Sequence, residues 1–358
     1  MKRVNNIYNN INDIDIIISM YYNIRGNIKN KEKRERFEDY FSINIIHIKN
    51  IINNNDYVPS KYHIFIIRET KIRVIMSQSI KDKIINHLVS YYFLEYVFDK
   101  TLINNNVATR IGKGTHYGLR LFKKYYNIFK NKYNKFYVLK FDIKKYFYNI
   151  DHNIVKNLIK RKIKDKKVLK IIYSIIDSTD EDYINNRIYY LRGKYRIDIP
   201  IYVKGKGLPI GNMSSGVIAC FYLDELDKMI IRDLGIKEYI RYMDDGVLFH
   251  HDKNYLKYSL KRIEEVVHKY KLELNHKTKI YSSYEQIEFL GFCFFTKNNR
   301  IIMKVNNKTK RKFKKNINDN NKSSYLGHLS YGDCGSLMKS VLGGRKDEEK
   351  ENISNSRS

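Results

Sequence analysis

Three aspartates carry the chemistry that this sequence offers. Asp142 lies near the end of the run Phe136 to Ile143, which alternates like a strand, with Val138, Lys140 and Asp142 on one face and Leu139, Phe141 and Ile143 on the other. Asp244 and Asp245 precede Gly246 between two strand-like runs, Tyr239 to Met243 and Val247 to Phe249, and the three residues read as a tight hairpin turn. Carboxylates on rigid elements are hard oxygen ligands for divalent cations. If strand and hairpin pair in one sheet, the three would converge on two ions about 4 Å apart, one activating a hydroxyl and one stabilising leaving oxygens in phosphoryl transfer. Each piece alone has a plainer reading, since Asp and Gly favour turns for conformational reasons and an Asp can simply end a strand.

The elements that would position these acids follow from periodicity. Residues 1 to 57 read as a helical extension, with helical spacing at Ile45, Ile48, Ile51 and Ile52. Tyr62 to Ile67 and Ile72 to Met76 read as a hairpin, and a helix runs from Ser79 to about Phe98. The loop Arg110 to His116 opens another helix, and Asp151 caps one with Ile154, Val155, Leu158 and Ile159 inward. Residues 186 to 204 read as β-like. Ser214 or Ser215 is the expected cap of a helix carrying Ile218 and Phe221, and Ile287 to Phe292 reads as one compact strand.

With 68 Lys+Arg against 38 Asp+Glu, the net charge of +30 favours a polyanionic partner. The competing reading is that A/T-rich codons inflate Lys together with Asn and Tyr. Cys220, Cys293 and Cys334 form no CxxC pair, which argues against a zinc cluster or disulfide framework and suits a reducing cytoplasm. No segment approaches the roughly 20 apolar residues that span a bilayer, so no membrane is expected. Gly112-Lys113-Gly114-Thr115 lacks the spacing of a phosphate-binding P-loop.

Four segments in order change the weight of the acids: Phe141-Asp142-Ile143-Lys144-Lys145-Tyr146-Phe147 with Ile150-Asp151-His152, Gly207-Leu208-Pro209-Ile210-Gly211-Asn212, Tyr242-Met243-Asp244-Asp245, and Glu288-Phe289-Leu290-Gly291-Phe292. Across roughly residues 58 to 335 the chain resembles the reverse transcriptase family. The resemblance implies an α+β fold, a right-hand polymerase with fingers, palm and thumb and an antiparallel palm sheet backed by helices. It implies fingers (58–135), a palm with an interleaved fingers segment (136–299) and a basic thumb (300–342), beside the helical extension (1–57) read from spacing and a tail (343–358) whose polar, charged composition reads as disordered. It further implies an RNA-directed DNA polymerase, a nucleotidyltransferase that uses two Mg2+ ions, with Mn2+ as a substitute, on an RNA template, a DNA primer and dNTPs.

By the same resemblance Asp142 and Asp244 bind the metals with the Ile143 carbonyl, and Asp245 is an acidic neighbour. Phe147 is the ring that excludes a ribose 2′-hydroxyl, and Lys71 and Arg73 grip the triphosphate, for which guanidinium geometry is well suited. A solvated hairpin end is the plainer reading of Lys71 and Arg73. Ile210 and Gly211 border the incoming nucleotide, and Lys277, with Lys279 as a competitor, protonates pyrophosphate. Leu290, Gly291 and Phe292 form the primer grip, and Lys310, Arg311 and Lys312 in the basic run from Lys304 to Lys315 track the template-primer backbone.

Within the family, Arg110 to His116 and the Gly-Leu-Pro-Ile-Gly-Asn element resemble bacterial enzymes of the diversity-generating and phage-defence branches. Ile210 removes a hydrogen-bonding side chain where many relatives carry Gln, which points to relaxed fidelity. Ser215 is followed by Gly216 where diversity-generating enzymes continue with Ser-Gln, and this puts phage defence with a dedicated noncoding RNA ahead of diversification. The alternative from another class is a catalytically inactive, nucleic-acid-binding polymerase fold; three retained acids weigh against it.

Overall fold

The computed structural model describes residues 3–68 and 72–340. Lys71 and the tail from 343 therefore lie outside the described residues. The chain begins with α1 (Ile14–Arg25), α2 (Lys31–Asp39) and α3 (Phe41–Asn54), where the expected spacing is realised: Ile45, Ile48 and Ile52 are buried. A hairpin follows, β1 (His63–Arg68) and β2 (Ile72–Ser77), paired from His63–Ser77 to Arg68–Ile72. Next comes α4 (Ile80–Val89), capped by Ser79, which runs through one π-type turn into α5 (Tyr96–Phe98).

After α6 (Thr115–Lys132), β3 (Tyr137–Phe141) leads through the single turn α7 (Tyr146–Asn149) to α8 (His152–Lys160), α9 (Lys166–Asp177) and α10 (Asp182–Tyr195). Asp151 caps α8 as expected, its side chain accepting from the Ile154 N–H. The β-like expectation for 186–204 does not hold. Residues 182–195 are helical because Ile184, Ile188 and Leu191 fall on one buried stripe, while Tyr189 and Tyr190, whose β propensity suggested a strand, stand in solvent.

The chain continues with α11 (Met213–Tyr222), α12 (Asp224–Lys228), β4 (Tyr239–Tyr242), β5 (Asp245–His250), α13 (Lys253–Lys269), β6 (Lys279–Ser282), β7 (Ile287–Phe289), β8 (Phe292–Lys297), β9 (Arg300–Val305), α14 (Asn307–Asn316) and α15 (Asp319–Leu329). Neither Ser214 nor Ser215 caps α11. The helix starts at Met213, behind Asn212, two residues before a Ser214 cap would begin it, and Asn86 of α4 reaches across to accept from the Ser214 N–H at 3.0 Å. Ile287 to Phe292 is likewise not one strand. Leu290 and Gly291 both take positive φ and form the two-residue turn between β7 and β8.

The centre is an antiparallel sheet in the order β4-β5-β3-β6. Its strands alternate cleanly between two cores. Leu139, Phe141, Tyr239 and Leu248 enter the larger core with α11 and with Leu256, Ile263 and Val267 of α13. Val138, Ile240, Val247 and Phe249 enter a second core with Leu119, Phe122 and Tyr126 of α6 and Phe289, Phe292 and Phe294 of the β7-β8-β9 sheet. A third core joins Ile64, Val74 and Met76 of the β1-β2 hairpin to Ile184, Ile188 and Leu191 of α10. This is the expected α+β arrangement, an antiparallel sheet backed by helices. Cys220, Cys293 and Cys334 are buried and free, and among the described residues no helix is long and apolar enough to cross a membrane.

One polar group lies inside the apolar packing. Arg241 on β4 is fully buried and forks onto Asp227, with Nε 2.6 Å from Oδ1 and Nη2 2.7 Å from Oδ2. The same guanidinium donates to the carbonyls of Met243 and Cys220, and Tyr239 Oη donates to Asp227. Removing one member of such a pair strands a charge at a cost of about 3–5 kcal/mol. Asp227→Asn is therefore expected to lower the urea unfolding midpoint strongly. The double variant Asp227→Leu/Arg241→Met should lose less than either single change, and an equal or larger loss would contradict the pairing.

Candidate active site

Asp142 follows the last residue of β3, and the register places Phe141 opposite Gly246 and Tyr242 opposite Asp245. The strand carrying Asp142 and the hairpin carrying Asp244 and Asp245 are thus neighbours in one sheet. Asp245 lies on the face shared by Val247 and Phe249, the face of Val138, Lys140 and Asp142. The turn itself is displaced by one residue from the expectation. Met243 and Asp244 form it, with Met243 at φ +55°, and Asp245 and Gly246 already belong to β5. Gly246 is required by close approach rather than by turn geometry, because a Cβ there would fall inside the ring of Phe141.

The electrostatics of the three acids agree with their convergence. Burial, with the Asp245 and Asp142 charges close by and a hydrogen bond that the protonated Asp244 donates to Asp142, pushes the Asp244 carboxyl up to about 7. Lys140 Nζ, 3.9 Å from Asp245 Oδ1, supplies one nearby positive charge. Ile143 bridges Leu274, but the flanking hydrogen bonds are made by Lys144 N–H to Glu273 O and Asn275 N–H to Asp142 O, so the Ile143 carbonyl points away from that segment. A cluster of hard oxygen donors that repel one another when ionised fits divalent cations.

The remaining predicted residues are spread over several elements. Phe147 is half-buried on α7, and its carbonyl accepts the Leu208 N–H at 2.8 Å. The Ile210 carbonyl accepts the Met76 N–H of β2 at 2.8 Å, and a Cβ on Gly211, which sits at φ +119°, would press on the Met76 carbonyl. Arg73 is exposed on the same strand, opposite Ile67. Lys277 is exposed in the segment that pairs with Asp142 to Lys144, whereas the Lys279 ammonium is held 2.7 Å from Glu285.

Leu290 and Gly291 occupy the β7-β8 turn, Leu290 packing toward Gly118 and Gly291 accepting the Asn306 N–H. Phe292 is fully buried, so its ring serves the core. On α14 Lys310 and Arg311 are exposed and Lys312 is half-buried beside the anchoring Phe313. Sequence reasoning missed Asp227 and Arg241, which fix the hairpin from below. The one available signal was a charged residue inside the otherwise apolar and aromatic run Tyr239 to Met243.

The raised Asp244 carboxyl gives a pH signature in metal-free protein. Between the ordinary aspartate value and about 7 the folded state keeps a proton that the unfolded state releases, so this group's contribution to stability falls as pH rises through that window. In chelator, Asp244→Asn is expected to melt above wild type at pH 8, with the difference closing toward pH 4. A difference independent of pH would remove the assigned cause.

The family described as reverse transcriptase (RNA-dependent DNA polymerase) matches residues 58–294. No curated protein matches the chain. Among solved structures, telomerase from Candida albicans in complex with the TWJ fragment of telomeric RNA superposes with a TM-score of 0.55 at 13% identity, covering 84% of this chain and 56% of that one. Apo telomerase from Candida tropicalis, truncated from its C-terminal domain, gives a TM-score of 0.48 at 15% identity over 72% of this chain and 58% of that one. The chain thus spans little more than half the length of these structures. The Candida albicans likeness supports the fold, and the family match covers well over half of the sequence along with every strand of the central sheet. The chain belongs to the reverse transcriptase family, the RNA-dependent DNA polymerases.

Proposed function

We propose that this polymerase extends DNA on an RNA template through Asp142, Asp244 and Asp245, and that it serves bacterial phage defence with a dedicated noncoding RNA. The observation that carries the chemistry is the shared environment of the three carboxylates, in which Asp142 and Asp245 both raise the Asp244 carboxyl. Asp142, Asp244 and the Ile143 carbonyl would hold two Mg2+ ions, which would supply Lewis-acid stabilisation of the attacking and leaving oxygens. The protein's own groups orient the reactants. Phe147 fills the space beside the sugar, Arg73 and Lys71 bind the triphosphate, and Ile210 and Gly211 shape the nucleotide pocket from the loop docked on β2.

Lys277 donates a proton to the leaving pyrophosphate. The turn at Leu290 and Gly291 bears on the primer, with Phe292 anchoring it from the core, and Lys310, Arg311 and Lys312 follow the phosphate backbone. The segments 58–135, 136–299 and 300–342 correspond in this reading to fingers, palm with interleaved fingers, and thumb. The hairpin and α10 sharing one core supports the interleaving. A second reading, an error-prone enzyme of a diversity-generating element, rests on the aliphatic Ile210 at the nucleotide pocket.

Two measurements test these assignments. Wild type should incorporate dNTPs on an RNA template in Mg2+ or Mn2+, and Asp244→Asn should lose at least about a hundredfold, the scale of about 2.7 kcal/mol or more. Equal rates would refute the assigned centre, and silence from both would favour a binding-only protein. Phe147→Ala is expected to admit ribonucleotides while retaining dNTP use. Sequencing the nucleic acid that copurifies from the host separates the biological roles. A repetitive or homopolymeric product on one noncoding RNA supports defence, and adenine-directed mutations in the product support diversification.

A further inference from the structure

A separate group of ligating atoms lies at the head of α8. His152 is 2% exposed, and its Nε2 is 2.7 Å from the carbonyl oxygen of Gly207. A carbonyl can only accept, so Nε2 carries the proton. Nδ1 is buried without a hydrogen-bond partner and faces Asp177 Oδ1 at 3.3 Å and Asp180 Oδ2 at 3.5 Å. In a neutral ring this sets a lone pair against two carboxylates, a repulsive arrangement unless positive charge sits between them.

A second ring proton or a bound cation would each resolve the conflict, and the distances discriminate. An imidazolium N–H closes on a carboxylate to about 2.7–2.9 Å. Ligand atoms arranged tetrahedrally about a cation at about 2.0–2.2 Å stand about 3.4 Å from one another. The observed 3.3 and 3.5 Å from Nδ1 fit the second case, and the two carboxylate oxygens, within 4.8 Å of one another, would draw together on the ion.

We propose that His152 Nδ1, Asp177 and Asp180 form a structural site for one divalent transition-type cation, Zn2+ or a close relative, separate from the Asp142, Asp244 and Asp245 cluster. One imidazole with two carboxylates selects against Mg2+, which takes oxygen ligands and keeps its waters. The surroundings are those of a supported site. Gly207 O fixes the ring through Nε2, and Asp180 Oδ1 accepts the Gly205 N–H at 2.8 Å. Lys156 Nζ lies 2.5 and 2.6 Å from the two oxygens of Asp177 and is the built-in competitor, on a side chain exposed enough, at 23%, to withdraw. The cation would clamp α8 and the end of α9 to the Gly205–Gly207 loop, whose next residue, Leu208, is held by Phe147. It would thereby stiffen the nucleotide-side loop without touching substrate.

The full chain carrying Asp244→Asn, stripped with chelator, is titrated with Co2+ and read by visible absorption and thermal melting. One equivalent should produce the intense bands of low-coordinate, nitrogen-ligated Co2+, displaced by Zn2+, with a rise in melting temperature. His152→Gln and Asp180→Asn should abolish the bands. Asp177→Asn, on a side chain 45% exposed, is the safer variant should the buried change fail to fold, and it too should abolish them. Lys156→Met should tighten binding at least several-fold by removing the competitor. A folded protein with no such bands, bands that survive Asp177→Asn, or an affinity that Lys156→Met leaves unchanged would overturn the assignment.

Discussion

The bidentate pair between Arg241 and Asp227 is the constraint on which the rest of the candidate site depends. A guanidinium without solvent access must be neutralised and hydrogen-bonded, and here four bonds engage it. Two of those bonds end on the carbonyls of Met243 and Cys220. The pair therefore ties the turn that presents Asp244 to α11 and α12 at once. It also holds Met243 in a left-handed conformation that a side chain of this kind resists. The main chain on either side of Arg241 is fixed as well, its N–H donating to Asn105 O and its C=O accepting the Val107 N–H. Three acidic groups can be packed against one another only where the backbone beneath them cannot yield.

What the sequence made legible was the local pattern. Alternation in Phe136 to Ile143 correctly separated Leu139, Phe141 and Ile143 from Val138 and Lys140, because a sheet buried on both faces still divides its residues between two cores. The cap at Asp151 was equally readable, since it depends on residues three apart. The pairing of β3 with β5 joins residues about a hundred positions apart, and periodicity contains no term for it. The ordered motifs supplied that link instead.

The misreadings share a cause. In α10 tertiary burial of Ile184, Ile188 and Leu191 overrode the β preference of adjacent tyrosines. At α11 the first-turn N–H of Ser214 is satisfied by Asn86, 128 residues away, so no local serine had to cap it. At Leu290 and Gly291 a short apolar run concealed a reversal that only two positive φ values reveal. Arg241 was hidden for the reason that makes it effective: its partner lies in a different element, and its burial has no signature in spacing.

The two backbone hydrogen bonds that bracket the Leu208–Ile210 loop have a mechanical meaning. Phe147 O holds Leu208 N–H on one side, and Ile210 O holds Met76 N–H on the other, so α7, the loop and β2 form a continuous tether from the acidic cluster to the strand bearing Arg73. Sliding the hairpin past the loop must first break a main-chain bond. Whatever load is placed on one end of this tether is carried by main-chain bonds to the other.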